Sequence, residues 1–252
     1  MKKGNAIILK TPEELQILRE GGKILAAVIK ELKLIVKADI TTRQVDRQAE
    51  NLINKYNVLP AFKGYRGFPG CICISVNNEV VHGVPSDRII KEGDAVSLDV
   101  GIIYKDYYVD TATTLSIGRI RPELRKLMDV TLEALFKGIE QARVNNHLSD
   151  ISHAIQKRIE ADGFSAVRDF VGHGVGRNLH EDPEIPNYGP AHEGPILKEG
   201  MVLAIEPMVN MGAWQTKVQG DGWTVVTKDG KPSAHFEHTV AITEQGPEIL
   251  TL

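Results

Sequence analysis

The sequence IKEGDAVSLD at residues 90–99 recurs as LKEGMVLAIE at residues 197–206. The two stretches align without a gap, and each follows a His-Gly-Val triplet, at residues 82–84 and 173–175. The second copy has a longer, proline-rich loop between the triplet and its Lys-Glu-Gly. This repeat indicates an internal duplication.

The predicted secondary structure restarts in the same way. A helix begins at Thr11-Pro12-Glu13-Glu14, which combines an N-cap, a proline at the first helical position and a capping-box acid. The periodicity predicts helices over residues 11–37, 41–56, 121–143 and 149–162, and strands over residues 71–75, 80–84, 94–103, 107–115, 165–172, 201–210, 223–228 and 235–243. The pattern is that of an α+β fold with pseudo-repeat halves at about 11–118 and 119–250. Matching halves would bring Asp99 and Glu206 close to the pseudo-symmetry axis, a natural place for a shared site.

The composition indicates an ordinary globular protein and argues against some classes of partner and location. The chain has 252 residues, 42% hydrophobic and 25% charged, as in an ordinary globular protein. The formal net charge is −3, and Lys and Arg are dispersed, which argues against a nucleic-acid partner. No signal peptide or membrane span is expected, because charged residues closely follow the short apolar run of the N-terminus. Cys71 and Cys73 would share one face of a strand and are not expected to form a disulfide, so the cytoplasm is the expected compartment.

Two aspartates lie in one predicted hairpin, SLDVGIIYKDYYVDTATT at residues 97–114. With the turn centred on Tyr104-Lys105, Asp99 and Asp110 would lie directly opposite each other on one face. Two ionised carboxylates in an apolar strand must share a proton or bind a cation. A single Asp of this kind is more often a solvated strand-edge residue. The inference of a bound cation or a shared proton therefore depends on the two aspartates together.

Three further polar residues occur in apolar runs. Glu206 follows MVLAI, and Glu237 lies within HFEHTVAI, where a charge is out of place unless it is paired or binds a metal. His173 lies in FVGHGVGR, where the flanking glycines allow a ligand to approach closely. A lone histidine in such a strand is usually a core residue, but next to four anomalous acids it is a candidate nitrogen ligand.

These residues form a pattern in five contexts: Asp99 in LDVG, Asp110 in VDTA, His173 in GHGVGRNLHE, Glu206 in AIEP and Glu237 in FEHT. The pattern closely resembles the metal-ligand set of the type I methionine aminopeptidases, the short bacterial form, over nearly the whole chain. The resemblance implies a pita-bread fold, in which two pseudo-symmetric halves surround a central curved antiparallel sheet flanked by helices. Residues 1–252 would form a single catalytic domain.

The resemblance also implies a site with two divalent metal ions. Asp99 would bind one ion, Asp110 and Glu237 would bridge both, and His173 and Glu206 would complete the other. Two divalent ions balance four carboxylates, and oxygen ligands with one imidazole suit Co, Mn or Fe. A bridging hydroxide would then attack the scissile carbonyl of the peptide.

Further roles are implied for residues around the metal ions. Glu206 would carry the proton to the leaving amine, His180 would stabilise the tetrahedral intermediate, and His82 would contact the leaving side of the substrate. The methionine pocket would be lined by Tyr65, Phe68, Cys73 and Trp223. Leu179 departs from the family, whose members often have Phe there, so the pocket shape is open.

The implied substrates are N-terminal methionyl peptides and nascent polypeptides whose second residue is small, with the ribosome near its exit tunnel as a partner and the chain as a monomer. Two alternatives stay open. An Xaa-Pro aminopeptidase or dipeptidase would share the fold, although such chains normally carry an additional N-terminal domain, and only about ten residues precede the first helix here. A non-catalytic module for RNA or protein would be expected to lose ligands, and all five are present.

Overall fold

The computed structural model describes residues 6–252. The helices are α1 (Pro12–Ile35), α2 (Thr42–Lys55), α3 (Pro122–Ile139) and α4 (Leu148–Glu160), with a short 3-10 turn at Tyr65–Gly67. The strands are β1 (Leu59–Pro60), β2 (Cys73–Val76), β3 (Glu79–Val81), β4 (Ala95–Tyr104), β5 (Tyr107–Ser116), β6 (Ser165–Ala166), β7 (Gly172–Gly174), β8 (Glu181–Ile185), β9 (Val202–Ile205), β10 (Met208–Asn210), β11 (Thr216–Val218), β12 (Val225–Thr227), β13 (Ser233–His235), β14 (Glu237–Thr243) and β15 (Gly246–Ile249). The absence of a signal peptide, predicted from the N-terminus, concerns in part residues 1–5, which lie outside the described residues.

The helices begin where local capping chemistry places them. Thr11 accepts a hydrogen bond from the Glu14 backbone N–H at 3.3 Å, and the Glu14 carboxylate accepts one from the Thr11 N–H at 3.0 Å. The same reciprocal arrangement joins Thr41 and Gln44 at the start of α2. All four predicted helices are confirmed, with α1 and α3 ending a few residues earlier than the pattern suggests. Within residues 6–252, no helix combines the length and apolar character needed to cross a membrane.

The main sheet carries the features that position the site. Its strands follow the order β1-β4-β5-β14-β9-β7-β8, with β2 also paired to β4 and β15 to β14, and the pairs are antiparallel. Two smaller three-stranded sheets, β13-β10-β6 and β11-β12-β3, lie beside it. Strands from the two halves of the chain therefore meet at the β5–β14 pair.

The β4–β5 hairpin has a different register from the one predicted. Its turn lies at Lys105-Asp106, whose φ values of +48° and +65° are those of a two-residue hairpin turn. Asp110 consequently lies opposite Gly101, not opposite Asp99, and the predicted direct pairing is wrong. Because the register differs by two residues, Asp99 and Asp110 keep the same face of the sheet as diagonal neighbours.

Three of the predicted strands are interrupted. The segment 165–172 pairs only at its two ends, in β6 and β7. The segment 201–210 breaks at Glu206-Pro207, where proline has no N–H to continue a ladder. In the segment 235–243, Phe236 separates β13, which pairs with β10, from β14 in the main sheet. Each break allows one stretch of chain to serve two sheets.

Two hydrophobic cores lie against the main sheet. One packs α1 and α2 on β2, β4 and β5, with Leu25 and Leu98 fully buried. The other packs α3 and α4 on β9 and β14, with Leu135 and Ile205 fully buried. Burial of such large apolar side chains is the main favourable contribution to folding.

Candidate metal centre and substrate pocket

Five adjacent strands of the main sheet each bring one predicted ligand to a common region. In spatial order, β4 carries Asp99, β5 carries Asp110, β14 begins with Glu237, β9 is followed directly by Glu206, and β7 carries His173. Asp110, Glu237 and His173 are buried. Residues that are far apart in the sequence thus converge because their strands are neighbours.

The geometry around His173 leaves one ring nitrogen available for a metal ion. Its Nδ1 lies 2.9 Å from the carbonyl oxygen of Gly174, which can only accept, so Nδ1 carries the proton. In the neutral ring, Nε2 therefore has a free lone pair, and it faces Glu206 Oε1 at 3.5 Å. Ligand atoms of Asp110, His173 and Glu237 all lie within 4.8 Å of one another. Lone pairs gathered in this way favour a cation between them.

Burial keeps the acids of this cluster from ionising easily. Desolvation raises the pKa of Asp99 to about 7 and that of Glu206 to about 8, and it raises the pKa values of Asp110 and Glu237 well above their usual range. Desolvation also lowers the pKa of His173 to about 3. Divalent ions reverse this situation, because they favour the ionised carboxylate and the neutral imidazole.

Two buried oxygen atoms give a further test of whether these residues fit divalent metal ions. Asp99 Oδ1 and Asp110 Oδ1 are buried and have no hydrogen-bond partner among residues 6–252. Buried polar atoms nearly always have a hydrogen-bond partner, and the binding of an ion is a standard reason for an exception. Oxygen ligands with one imidazole also suit Mn, Fe or Co. The residues present therefore fit divalent metal ions.

All of the predicted site residues line one cavity of about 160 Å³. They are Tyr65, Phe68, Cys73, His82, Asp99, Asp110, His173, His180, Glu206, Trp223 and Glu237. The ligand cluster lies at one part of the cavity, and an apolar cluster that includes Phe68, Cys73 and Leu179 forms another part. The cavity can therefore receive an apolar side chain next to a cation site.

The aromatic residues and histidines of the cavity contact one another. Tyr65 Oη lies 2.8 Å from His180 Nδ1, and the His180 ring lies 4.4 Å from the His173 ring. Phe68 and Trp223 meet edge to face at 5.2 Å, and Trp223 lies 6.4 Å from the His82 ring. Burial lowers the pKa of His82 to about 4, so this ring is neutral at pH 7. His180 also has a lowered pKa, chiefly through desolvation and secondarily through the charge of Arg66.

Sequence reasoning missed three residues that line the cavity and one buried residue beside it. Phe62 and Arg66 line it, as does Leu179, which the sequence marked only as a departure from the family. His235 is almost fully buried, and its Nε2 faces Glu206 Oε2 at 3.5 Å without a hydrogen bond. The available signal was its place two residues before Glu237, which would put both on one face of a continuous strand.

The family model for metallopeptidase family M24 matches residues 16–244. This chain belongs to metallopeptidase family M24. Within family M24, it is 54% identical to methionine aminopeptidase 1 of Bacillus subtilis over 245 residues, which are 97% of this chain and 99% of that protein. The predicted membership of the methionine aminopeptidases is confirmed.

Solved structures agree with the fold. A methionine aminopeptidase of Thermotoga maritima superposes with a TM-score of 0.96 at 47% identity, covering 98% of this chain and 99% of that one. The prolidase of Pyrococcus furiosus has a TM-score of 0.80 at 26% identity, covering 97% of this chain and 65% of that one. The α+β pita-bread fold implied by the motifs is confirmed, and the methionine aminopeptidase is the nearer of these two in identity and coverage.

Proposed function

We propose that this protein removes the N-terminal methionine from new polypeptides whose second residue is small, in the cytoplasm. The main observation that supports this proposal is the cavity, in which four carboxylates and the free nitrogen of His173 lie beside an apolar pocket. An aminopeptidase needs both parts, since the apolar pocket selects the side chain and the polar part performs hydrolysis. The names of the relatives support methionine as the residue removed.

The metal ions are assigned to the five converging residues. Asp99, Asp110, His173, Glu206 and Glu237 would hold two divalent ions. Co, Mn or Fe would suit these ligands. The chemistry that such ions supply when bound is activation of water near neutral pH and polarisation of the scissile carbonyl.

The protein's own residues would handle protons and orient the peptide. Glu206 would accept a proton from the attacking water and pass it to the departing amine. When Tyr65 donates its hydroxyl proton to Nδ1 of His180, Nε2 of that ring carries a proton and can donate to the carbonyl oxygen as charge develops there. The neutral His82 would contact the part of the peptide that leaves.

The methionine side chain would enter the apolar part of the cavity. Tyr65, Phe68, Cys73 and Trp223 would form its walls, with Leu179 completing them. A flexible thioether packs well against aromatic edges and adapts to irregular walls. Phe68 and Trp223, which meet edge to face, would contribute one wall.

Several broader assignments belong to the same proposal. The chain would act as a monomer and would meet its substrates near the ribosomal exit tunnel. Its single catalytic domain, with pseudo-repeat halves at about 11–118 and 119–250, stays a prediction. Each half contributes helices to one of the two cores and strands to the shared sheet, which supports this division.

Peptide hydrolysis tests the proposal directly. Protein stripped of metal with a chelator and then supplied with Mn²⁺ or Co²⁺ should cleave Met-Ala-Ser and should not cleave Ala-Pro-Ala. Turnover of only the proline peptide would identify an Xaa-Pro peptidase. No turnover, with less than one divalent ion bound per chain, would identify a non-catalytic module.

A pair of variants in one hairpin tests the ligand assignment. Asp99→Asn should lower kcat/KM for Met-Ala-Ser by more than about 100-fold, because losing even a residue that orients a metal ligand costs about 10- to 100-fold. Asp106→Asn is the matched control, since Asp106 is exposed in the hairpin turn and Asn accepts its left-handed backbone. Full activity of the Asp99 variant, or equal losses in both, would remove Asp99 from the ligand set.

A further inference from the structure

Arg66 places a positive charge on the wall of a cavity that is otherwise acidic. It is the one Lys or Arg among the residues that line this cavity, which otherwise include four acids and three histidines. The side chain is exposed, and its guanidinium carbon lies 5.3 Å from the centre of the Tyr65 ring. Among residues 6–252, it forms no ion pair. Its charge is therefore available to a ligand.

The backbone at Arg66 does not suit an arginine. Its φ of +48° and ψ of 25° lie in the left-handed region, inside a turn flanked by Gly64 and Gly67, which also have positive φ. Backbone hydrogen bonds from Gly67 N–H to Gly64 O at 3.1 Å and from Phe68 N–H to Tyr65 O at 2.9 Å hold this turn. Glycine would adopt the conformation without steric cost. Local folding therefore does not explain the choice of arginine.

The direction of a bound peptide links this charge to the substrate. In the proposed function, the acids would attract the free ammonium group and the apolar pocket would hold the first side chain, so the remainder of the peptide would extend out of the cavity. Arg66 is exposed beside Tyr65, whose hydroxyl contacts His180, a residue proposed to bind the scissile carbonyl. A small second residue would be too short to reach Arg66, whereas the third and fourth residues of such a peptide would pass its exposed side chain.

We infer that Arg66 selects among methionyl substrates by attracting a carboxylate of the third or fourth residue of the peptide. This inference rests on the proposed function and adds a preference for acidic sequences beyond the second position. A guanidinium recognises a carboxylate through charge and paired N–H donors. Because the pair forms at an exposed rim, its effect is modest and depends on salt.

The experiment compares C-terminally amidated peptides, Met-Ala-Asp-Gly and Met-Ala-Gly-Asp, with their Asn counterparts. At low ionic strength, the protein loaded with Mn²⁺ should show an Asp-over-Asn ratio of kcat/KM of about 2 to 5 for at least one pair, the range that exposed ion pairs reach. The ratio should fall toward 1 in 0.5 M NaCl. The free-acid form of Met-Ala-Gly-Asn separates a terminal carboxylate from a side chain as the group recognised.

For each Arg66 variant, the quantity compared is the Asp-over-Asn ratio of kcat/KM. A substitution that changes the rate for both peptides equally leaves this ratio unchanged. Arg66→Gln and Arg66→Gly should bring the ratio to about 1, Arg66→Glu should invert it, and Arg66→Lys should retain part of it. Lys63→Gln is the control, because it removes an equal charge from the same loop, where Glu50 holds the ammonium at 2.5 Å. Its ratio should equal that of the parent protein.

The outcomes separate the two proposals. If no methionyl peptide is cleaved, the proposed function fails. If Met-Ala-Gly-Asn amide is cleaved but the Asp-over-Asn ratio is 1, or if Lys63→Gln lowers the ratio as much as Arg66→Gln does, the inference about Arg66 is wrong while the function stands. A preference seen only with free-acid peptides would assign Arg66 to terminal carboxylates and would overturn the role proposed for acidic side chains.

Discussion

Replacing Lys10 by methionine should destabilise the protein strongly, because it leaves a buried carboxylate without its partner. Lys10 Nζ lies 2.5 Å from Glu181 Oε2, and the two side chains are only 3% and 4% exposed. The other carboxylate oxygen accepts a hydrogen bond from the Asn178 backbone N–H at 3.0 Å. Removing one partner of a buried ion pair typically costs about 3–5 kcal/mol. We expect Lys10→Met to lose that much free energy of unfolding.

The same substitution should lower activity. Glu181 directly follows His180, and the Lys10 side chain also lies against Gly176, so the ion pair braces the loop that carries this histidine. We expect kcat/KM for Met-Ala-Ser to fall as the His180 ring loses its position. A shift in a residue that orients the substrate can cost about 100-fold even when it lies away from the chemistry.

Urea unfolding of the metal-free protein provides the measurement, with two controls. Lys10→Met with Glu181→Gln should recover most of the loss, because a neutral amide leaves no unpaired charge and still accepts from Asn178. Arg19→Met removes the exposed partner of Glu248, a pair whose side chains are 32% and 38% exposed, and should cost less than about 1 kcal/mol. The reasoning is refuted if Lys10→Met costs no more than Arg19→Met, or if the double variant loses the sum of both single losses.

Three other perturbations give equally definite expectations. Gly22→Ala should lower the free energy of unfolding in urea by about 1–3 kcal/mol, because the added Cβ would overlap the Leu250 carbonyl oxygen. Gly21→Ala is the control, since the nearest neighbours of its added Cβ lie at 3.4 Å, and its stability should stay within about 1 kcal/mol of that of the parent protein. Equal effects of the two substitutions would contradict the packing argument. His235→Ala should lower kcat by about 10- to 100-fold, because it removes the ring that lies 3.5 Å from Glu206 Oε2 and limits the space available to that carboxylate. His235→Gln, which keeps a polar side chain of similar length there, should recover part of the loss, and equally impaired variants with parental metal content would rule out a positioning role. The melting temperature of metal-free protein should fall between about pH 7.5 and 8.5, above the ordinary pKa of an unfolded histidine, because the buried carboxylates with pKa values raised to about 7 and about 8 bind protons in the folded state and have lost them in the unfolded state. Saturating Mn²⁺ should abolish that fall, and a flat melting temperature in the metal-free protein would show that the acids are not protonated.

Local chemistry made much of the architecture predictable. The capping box at Thr11 and Glu14 determines where α1 begins, whatever the rest of the chain does. Charged residues inside apolar runs marked Asp99, Glu206 and Glu237, because burying an unpaired charge is too costly to occur without a purpose. The repeated motif indicated that distant segments belong to one site. Side-chain type and short-range spacing carried these inferences.

The register of the β4–β5 hairpin and the position of His235 depended on tertiary contacts that a local sequence pattern does not show. The position of the β4–β5 turn decided the register of Asp99 against Asp110, because several two-residue turns fit the same alternation. His235 became part of the site only through its approach to Glu206, and the break at Phe236 obscured its direction.

The sequence by itself determined the helices, the class of fold and the identities of the candidate ligands, since these follow from capping, periodicity and the cost of buried charge. Only the tertiary structure decided which strands are neighbours, how they are aligned, that Arg66 lines the cavity and that His235 lies beside Glu206. The physical reason is that strand pairing and side-chain packing bring together residues separated by tens to more than a hundred positions, and their energies depend on partners that a local window does not include.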